Sequence, residues 1–229
     1  RFLAEVQAST GRPLALVEVG ASAGLCLLPD RFGYRWRTGD GVVDLAPPEP
    51  AAPTLECRVT GPVPLPSRAP GIGWRAGIDL APLDVRDDDA VAWLETLVWP
   101  EQEQRRDRLR GALGVARRQP PRLVRGDLLT ALPALLEEVP DDLTPVVLHS
   151  AVVAYLEPPD RQRFRTLMTG LVRRGACSWV SNEGAEVLPE LTTTGPPVPP
   201  DRSTFVLAVD GRARAWTHPH GASMTWLDR

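Results

Sequence analysis

The sequence predicts an α/β protein: a mostly parallel sheet with helices on both faces, antiparallel strands at the C-terminal edge and a Pro-rich β insertion after the first helix. Three observations lead there. Apolar runs rich in Val and Leu alternate with amphipathic segments from residue 14 to residue 182. The first of these runs leaves through a glycine turn, Gly20-Ala21-Ser22-Ala23-Gly24. Toward the end, two short strand-like stretches flank Asp210-Gly211, a strong hairpin signal.

Taken in order, residues 14–19 follow Gly11-Arg12-Pro13 and read as a buried parallel strand. Leu25-Cys26-Leu27-Leu28 is expected to continue beyond Gly24 as a short helix ending near Pro29-Asp30. Prolines at 47, 48, 50, 53, 62, 64, 66 and 70 forbid a helix within residues 33–73, and Gly39-Asp40-Gly41 punctuates two alternating stretches, so a β-rich insertion is expected there. Residues 74–80 return to a strand. Asp87 to Asp89 can cap a helix with Val91, Leu94, Leu97 and Val98 at helical spacing, broken by Trp99-Pro100. Residues 101–118 form a charged surface helix with Leu109, Leu113 and Ala116 as its apolar stripe. Strands at 123–127, 145–150 and 176–181 then alternate with helices at 132–139 and 161–174, and strands at 204–209, 212–217 and 223–227 close the chain. This alternation is Rossmann-like and fits a single domain.

Composition removes several functions. With 229 residues, 43% hydrophobic and 24% charged, the chain can bury an ordinary core. Its net charge is -3 and it contains no lysine, all 26 basic residues being arginine. No surplus exists for gripping a phosphate backbone, so no nucleic-acid partner is indicated. A P-loop lysine, a Schiff-base lysine and a lysine general base are all excluded. Cys26, Cys57 and Cys177 lie far apart without a C-x-x-C pair, which encodes neither a disulfide framework nor a zinc site and points to reduced thiols in a cytoplasmic protein. No apolar run approaches the ~20 residues of a membrane span, and the start lacks the apolar core of a signal peptide. Because the chain begins at Arg1 rather than Met, further residues are expected ahead of it, with residues 2–8 as the tail of a helix.

In such a sheet, ligands bind at the carboxyl ends of the strands, near the point where strand order reverses. The exits to read together are Glu18 to Gly24, Asp79, Gly126-Asp127, His149-Ser150 and Asn182-Glu183. Gly20 and Gly24 permit a tight turn and close backbone approach. The pattern is E-x-G-x-x-x-G, not the G-x-G-x-x-G of nicotinamide enzymes. Val17-Glu18-Val19-Gly20-Ala21-Ser22-Ala23-Gly24 resembles the first motif of class I S-adenosylmethionine-dependent methyltransferases. That resemblance implies a strand-end acid, Glu18, near the methionine part of the cofactor, and a turn of Gly20, Ala21, Ser22, Ala23 and Gly24 against it. Gly77-Ile78-Asp79-Leu80 is similar to the second-strand motif, which implies that Asp79 takes the ribose hydroxyls, with Asp84 as the fallback because the insertion separates the two motifs widely. Gly126-Asp127-Leu128 resembles the third, which implies that Asp127 and the Leu128 N–H read the adenine edge. Carboxylates that only accept hydrogen bonds suit a ligand with two hydroxyls and an amine. More narrowly, Glu18 to Leu25, Gly77 to Val85, Leu97 to Gln102, His149 to Leu156 and His220-Gly221 resemble a bacterial family of unknown function over nearly the whole chain.

The expected activity is transfer of a methyl group from S-adenosylmethionine to a small-molecule or protein acceptor. His149 is the candidate base or substrate orienter, with Tyr155 and Glu183 as further catalytic candidates. No metal site is expected. Two other readings stay open. Gly20-Ala21-Ser22-Ala23-Gly24 also satisfies G-x-S-x-G, the nucleophile elbow of α/β-hydrolases, with Ser22, Asp127 and His218 or His220 in the right chain order. The third is a non-catalytic nucleotide-binding module. Each candidate also has a plain structural role open to it: Ser22 as a turn residue, Asp127 and Asp79 as caps, His149 as a buried histidine with a backbone partner and Tyr155 as packing.

Overall fold

The computed structural model describes residues 2–200 and 203–227. Its first helix, α1 (Phe2–Thr10), leads into β1 (Leu14–Val19), which is buried at all six positions. A strand of Leu, Ala and Val with one acid can be buried throughout only when both faces of the sheet are covered. Its neighbours are β5 (Ile72–Asp79) on one side and β7 (Thr144–Ser150) on the other, both parallel to it. Outside these lie β6 (Arg122–Arg125) and β8 (Ser178–Gly184), also parallel. Strand order therefore reverses at β1, with β6-β5-β1-β7-β8 as the run across it.

Crossover helices cover both faces. On one, α4 (Leu128–Glu137) and α5 (Pro158–Arg173) bury Leu132, Phe164 and Met168 against Val17, Val19, Ile78 and Trp179. On the other, Val6 of α1 packs on Leu14, Leu16 and Val146. Beside that layer, α3 (Glu103–Arg118) buries Ala112, Leu113 and Ala116 against Leu28 and Phe32, next to α2 (Asp88–Thr96). The caps follow the sequence: Asp87 accepts from Asp89 and Ala90 N–H, and Asp127 accepts from Leu129 and Thr130 N–H. Pro158 opens α5, where its missing N–H costs no hydrogen bond.

Two expectations are corrected. Residues 25–31 form no α-helix but two single 3-10 turns, Leu25–Leu27 and Pro29–Arg31. The backbone before them is left-handed at Gly20, Ser22 and Gly24, and Pro29 lacks the N–H that a continuing helix would use. Leu27 and Leu28 are drawn into two different clusters instead of forming one stripe. Second, the C-terminal antiparallel strands do not form the sheet edge. After the short helix α6 (Pro189–Thr192), strands β9 (Phe205–Val209), β10 (Arg212–Thr217) and β11 (Ser223–Trp226) run as a meander from β8. The inserted strands β2 (Gly33–Thr38), β3 (Gly41–Leu45) and β4 (Thr54–Thr60) then continue the same sheet, β4 pairing in parallel with β11. The edge on this side is β3, the other edge being β6, and the whole is one sheet of eleven strands among the described residues.

Candidate functional site

The exits of β1, β5, β6 and β7 surround a cleft of about 360 Å3 at the reversal of strand order, where open α/β sheets hold their ligands. Gly20 and Ser22 come from the β1 exit, Asp79 and Leu80 from β5 and Asp127 and Leu128 from the start of α4. The far wall is Ala151, Val152, Tyr155 and Leu156, which follow β7. The charged lining residues are Asp79 and Asp127, with no arginine among them.

Backbone strain gathers here. Of the three non-glycine residues with positive φ among the described residues, Asp210 sits in the predicted hairpin turn, while Ser22 (φ 51°) and Ala151 (φ 55°) line the cleft on either side of β1. A left-handed non-glycine costs about 1 kcal/mol and persists where the surroundings hold it. Asp79 supplies part of that hold. One carboxylate oxygen accepts the Ser22 N–H at 2.8 Å and the other the Ala81 N–H at 2.8 Å. Each oxygen keeps a second lone pair for a ligand.

Most donors of the glycine turn are spent internally: Gly20 and Ala21 N–H on Ile78 O, Ser22 N–H on Asp79 and Gly24 N–H on Ala21 O. Its glycines serve packing. A Cβ on Gly20 would lie 2.3 Å from Val152 Cγ2, and one on Gly24 would lie 2.5 Å from Pro121. Gly77 makes room for Ala21 in the same way. With no α-helix following, the turn offers neither a helix dipole nor a row of free N–H groups to a phosphate.

The wall after β7 is tied to β8 at several points, three of them on one oxygen. Glu183 Oε1 accepts Val152 N–H at 3.0 Å and Val153 N–H at 3.1 Å, and lies 2.8 Å from His149 Nδ1. Since a carboxylate oxygen accepts, Nδ1 is the protonated nitrogen of the ring. The His149 ring is stacked on Trp179 at 6.0 Å and meets Phe164 edge-on at 5.2 Å. Val152 then wedges against Gly20, passing the constraint to the β1 turn.

The predicted site residues thus divide. Gly20, Ser22, Asp79, Asp127, Leu128 and Tyr155 meet at the cleft. Glu18, Ala21, Ala23 and Gly24 lie outside its lining, as do His149 and Glu183, which are each only 2% exposed. Glu18 points to the opposite face from Val17 and Val19, where burial pushes its carboxyl up to about 8 against a hydrogen bond from Cys26 that pulls it down, the Asp79 charge adding to the rise. Asp84, the fallback ribose acid, is paired with Arg86, whose hydrogen bonds hold its carboxyl down at about 2, and it lines a separate cavity of about 230 Å3 with Ala23. Sequence reasoning missed Ala151 and Val152. The signals for them were their place directly after an apolar strand and within the His149 to Leu156 segment.

For the hydrolase arrangement, Ser22 has the left-handed backbone but not the partners. No histidine is hydrogen-bonded to it among the described residues: His149 faces Glu183, and His218 Nδ1 accepts the His220 N–H. The described residues contain no cluster of His, Cys, Asp and Glu fit to hold a metal ion, and no helix is long and apolar enough to cross a membrane.

No curated protein and no solved structure matches the chain. A family model does, over residues 2–226, described as an uncharacterized protein conserved in bacteria (DUF2332). The chain belongs to this bacterial family.

Proposed function

We propose that the cleft binds S-adenosylmethionine and that the protein is a methyltransferase of the Rossmann-like type. The observation that carries this reading is the placement of Asp79 and Asp127 at adjacent strand exits of one cleft whose lining holds no basic residue; the nearby Arg125 is engaged outside it on Leu80 O at 2.8 Å. A dinucleotide or nucleoside phosphate needs cationic or N–H partners for its phosphates; this cleft has two acids instead, which favours a neutral or cationic ligand. Asp79 has lone pairs for two ribose hydroxyls. Asp127 Oδ1 is taken by the α4 cap, leaving Oδ2 for an exocyclic amine, and the Leu128 N–H is among the donors that a helix start leaves unpaired. The strand order β6-β5-β1-β7-β8 supports the reading, because it agrees with the order expected of a doubly wound sheet. The volume falls at the lower end of small-ligand sites, about 300–1,000 Å3.

When bound, the cofactor supplies an already activated methyl group. The residues of this chain orient it, shield it and align the acceptor. Of the three catalytic candidates, Tyr155 alone reaches the cleft, so ligand binding has broader support than the transfer step. Calorimetric titration with S-adenosylmethionine and S-adenosylhomocysteine tests the reading. Binding that is lost in Asp79→Ala supports it; no heat and no thermal shift at millimolar ligand would sink it.

The strained Ser22 favours one second reading, an esterase elbow. It expects a fluorophosphonate to label the protein at Ser22, with labelling abolished in Ser22→Ala; an unlabelled protein removes it.

A further inference from the structure

Strand order divides the cleft. Asp79 and Asp127 follow β5 and β6 on one side of β1, whereas residues 151–156 follow β7 on the other. A nucleoside held by the two acids fills the first side. The second presents Ala151, Val152, Tyr155 and Leu156, none of them charged.

Tyr155 is 85% exposed, yet the backbone that carries it is tied from every direction. Its own N–H donates to Val152 O at 3.0 Å, and Ala151 N–H donates to Asn182 O at 3.1 Å. Arg161 reaches back from α5 to donate to Ala154 O at 2.7 Å and Leu156 O at 2.8 Å. Below, Glu183 holds the Val152 and Val153 N–H groups. An aromatic ring in solvent on so constrained a backbone loses little further backbone freedom when something flat lies against it, which is what preorganisation means for affinity. Leu80, 70% exposed at the β5 exit, gives a second apolar surface on the opposite side of β1.

We infer that the β7 side of the cleft is an acceptor subsite for an uncharged planar group, aromatic or heteroaromatic, with Tyr155 as its stacking surface and Glu183 as the positioning residue that fixes that surface. The division of the cleft rests on the nucleoside reading above. The contact itself is between a flat ring and Tyr155. His149 acts only through Glu183, from behind the wall, and touches no ligand.

Saturation-transfer NMR tests this, with indole and quinoline as planar probes and cyclohexylmethanol as a non-planar one, in the presence of S-adenosylhomocysteine. The planar probes should contact the protein and be preferred over the alcohol. Tyr155→Phe should bind them within about twofold of wild type, and Tyr155→Leu should lose roughly tenfold, within the range of base stacking on an aromatic side chain. Because Tyr155 is so exposed, both variants should melt like wild type. Glu183→Gln keeps an acceptor oxygen and should retain the probes, while Glu183→Leu should lose them. Planar probes that bind Tyr155→Leu as well as wild type, or that never contact wild type, overturn the inference. If S-adenosylhomocysteine does not bind but the probes depend on Tyr155, the cofactor reading fails and the aromatic surface stands. If it binds and the probes ignore Tyr155, this inference falls alone.

Discussion

Glu18 and Glu183 lie near the carboxyl ends of β1 and β8, on opposite faces of one sheet, at 5% and 2% exposure. Burial treats them alike, but their surroundings do not. Glu183 gathers two backbone N–H groups and the His149 ring on one oxygen, and so fastens the cleft wall to β8. Glu18 has only the Cys26 thiol to set against its burial; the second oxygen, Oε2, has no partner in either acid among the described residues, so the difference lies in what Oε1 of Glu183 collects. A buried acid becomes an anchor when donors converge on it; without them the neutral form is favoured.

The largest expected effect tests the anchor. Glu183→Leu strands two N–H groups and a ring nitrogen in the core and should cost about 4 kcal/mol in urea denaturation. Glu183→Gln should recover most of it. A loss as small as that of a surface substitution would show that the wall is held elsewhere. The Glu18 side of the comparison is sharpened by pH. Its carboxyl is raised in the fold, so the folded state binds the extra proton more tightly. The stability this gives is full below the ordinary value of 4.5 and is lost as pH rises through about 8. A decline on the order of 3 kcal/mol across that window is expected, short of the full shift because the site relaxes on ionisation. Glu18→Gln should flatten the profile.

Smaller effects follow the constraint from Glu183 into the β1 turn. Gly20→Ala meets Val152 and a left-handed φ of 75°, and should destabilise by about 2 kcal/mol. Val152→Ala should relieve part of that, so the double mutant should be less than additive. Smallest of all, Ser22→Gly and Ala151→Gly should each stabilise by no more than about 1 kcal/mol, measured by thermal melting, because glycine accepts their backbone without strain.

How much of this was legible depends on the range of the interactions. Strand β1 and the middle of β7 announce themselves as apolar runs because both sheet faces are covered there, whereas β5 and β8 carry polar residues and are marked by their place in the alternation. The caps at Asp87 and Asp127 and the hairpin at Asp210-Gly211 are local chemistry and were readable. The helix expected after Gly24 failed because Leu27 and Leu28 are claimed by two different cores, a tertiary fact. That β4 would pair with β11 could not be seen either, since nothing local says where an inserted strand docks. His149 looked like a cleft residue because it ends a strand at the right place. It is Phe164 and Trp179, from other segments, that close over it. The acids Asp79 and Asp127 were readable by position, while their engagement with Ser22 and the α4 cap depended on the fold.

Hydrogen exchange of backbone amides with and without S-adenosylhomocysteine tests the central claim most directly. The account predicts slowed exchange at residues 20–22, 79–81 and 126–128, with no change around Asp84 and Arg86 in the neighbouring cavity. Unchanged exchange throughout, or protection confined to that second cavity, would contradict it.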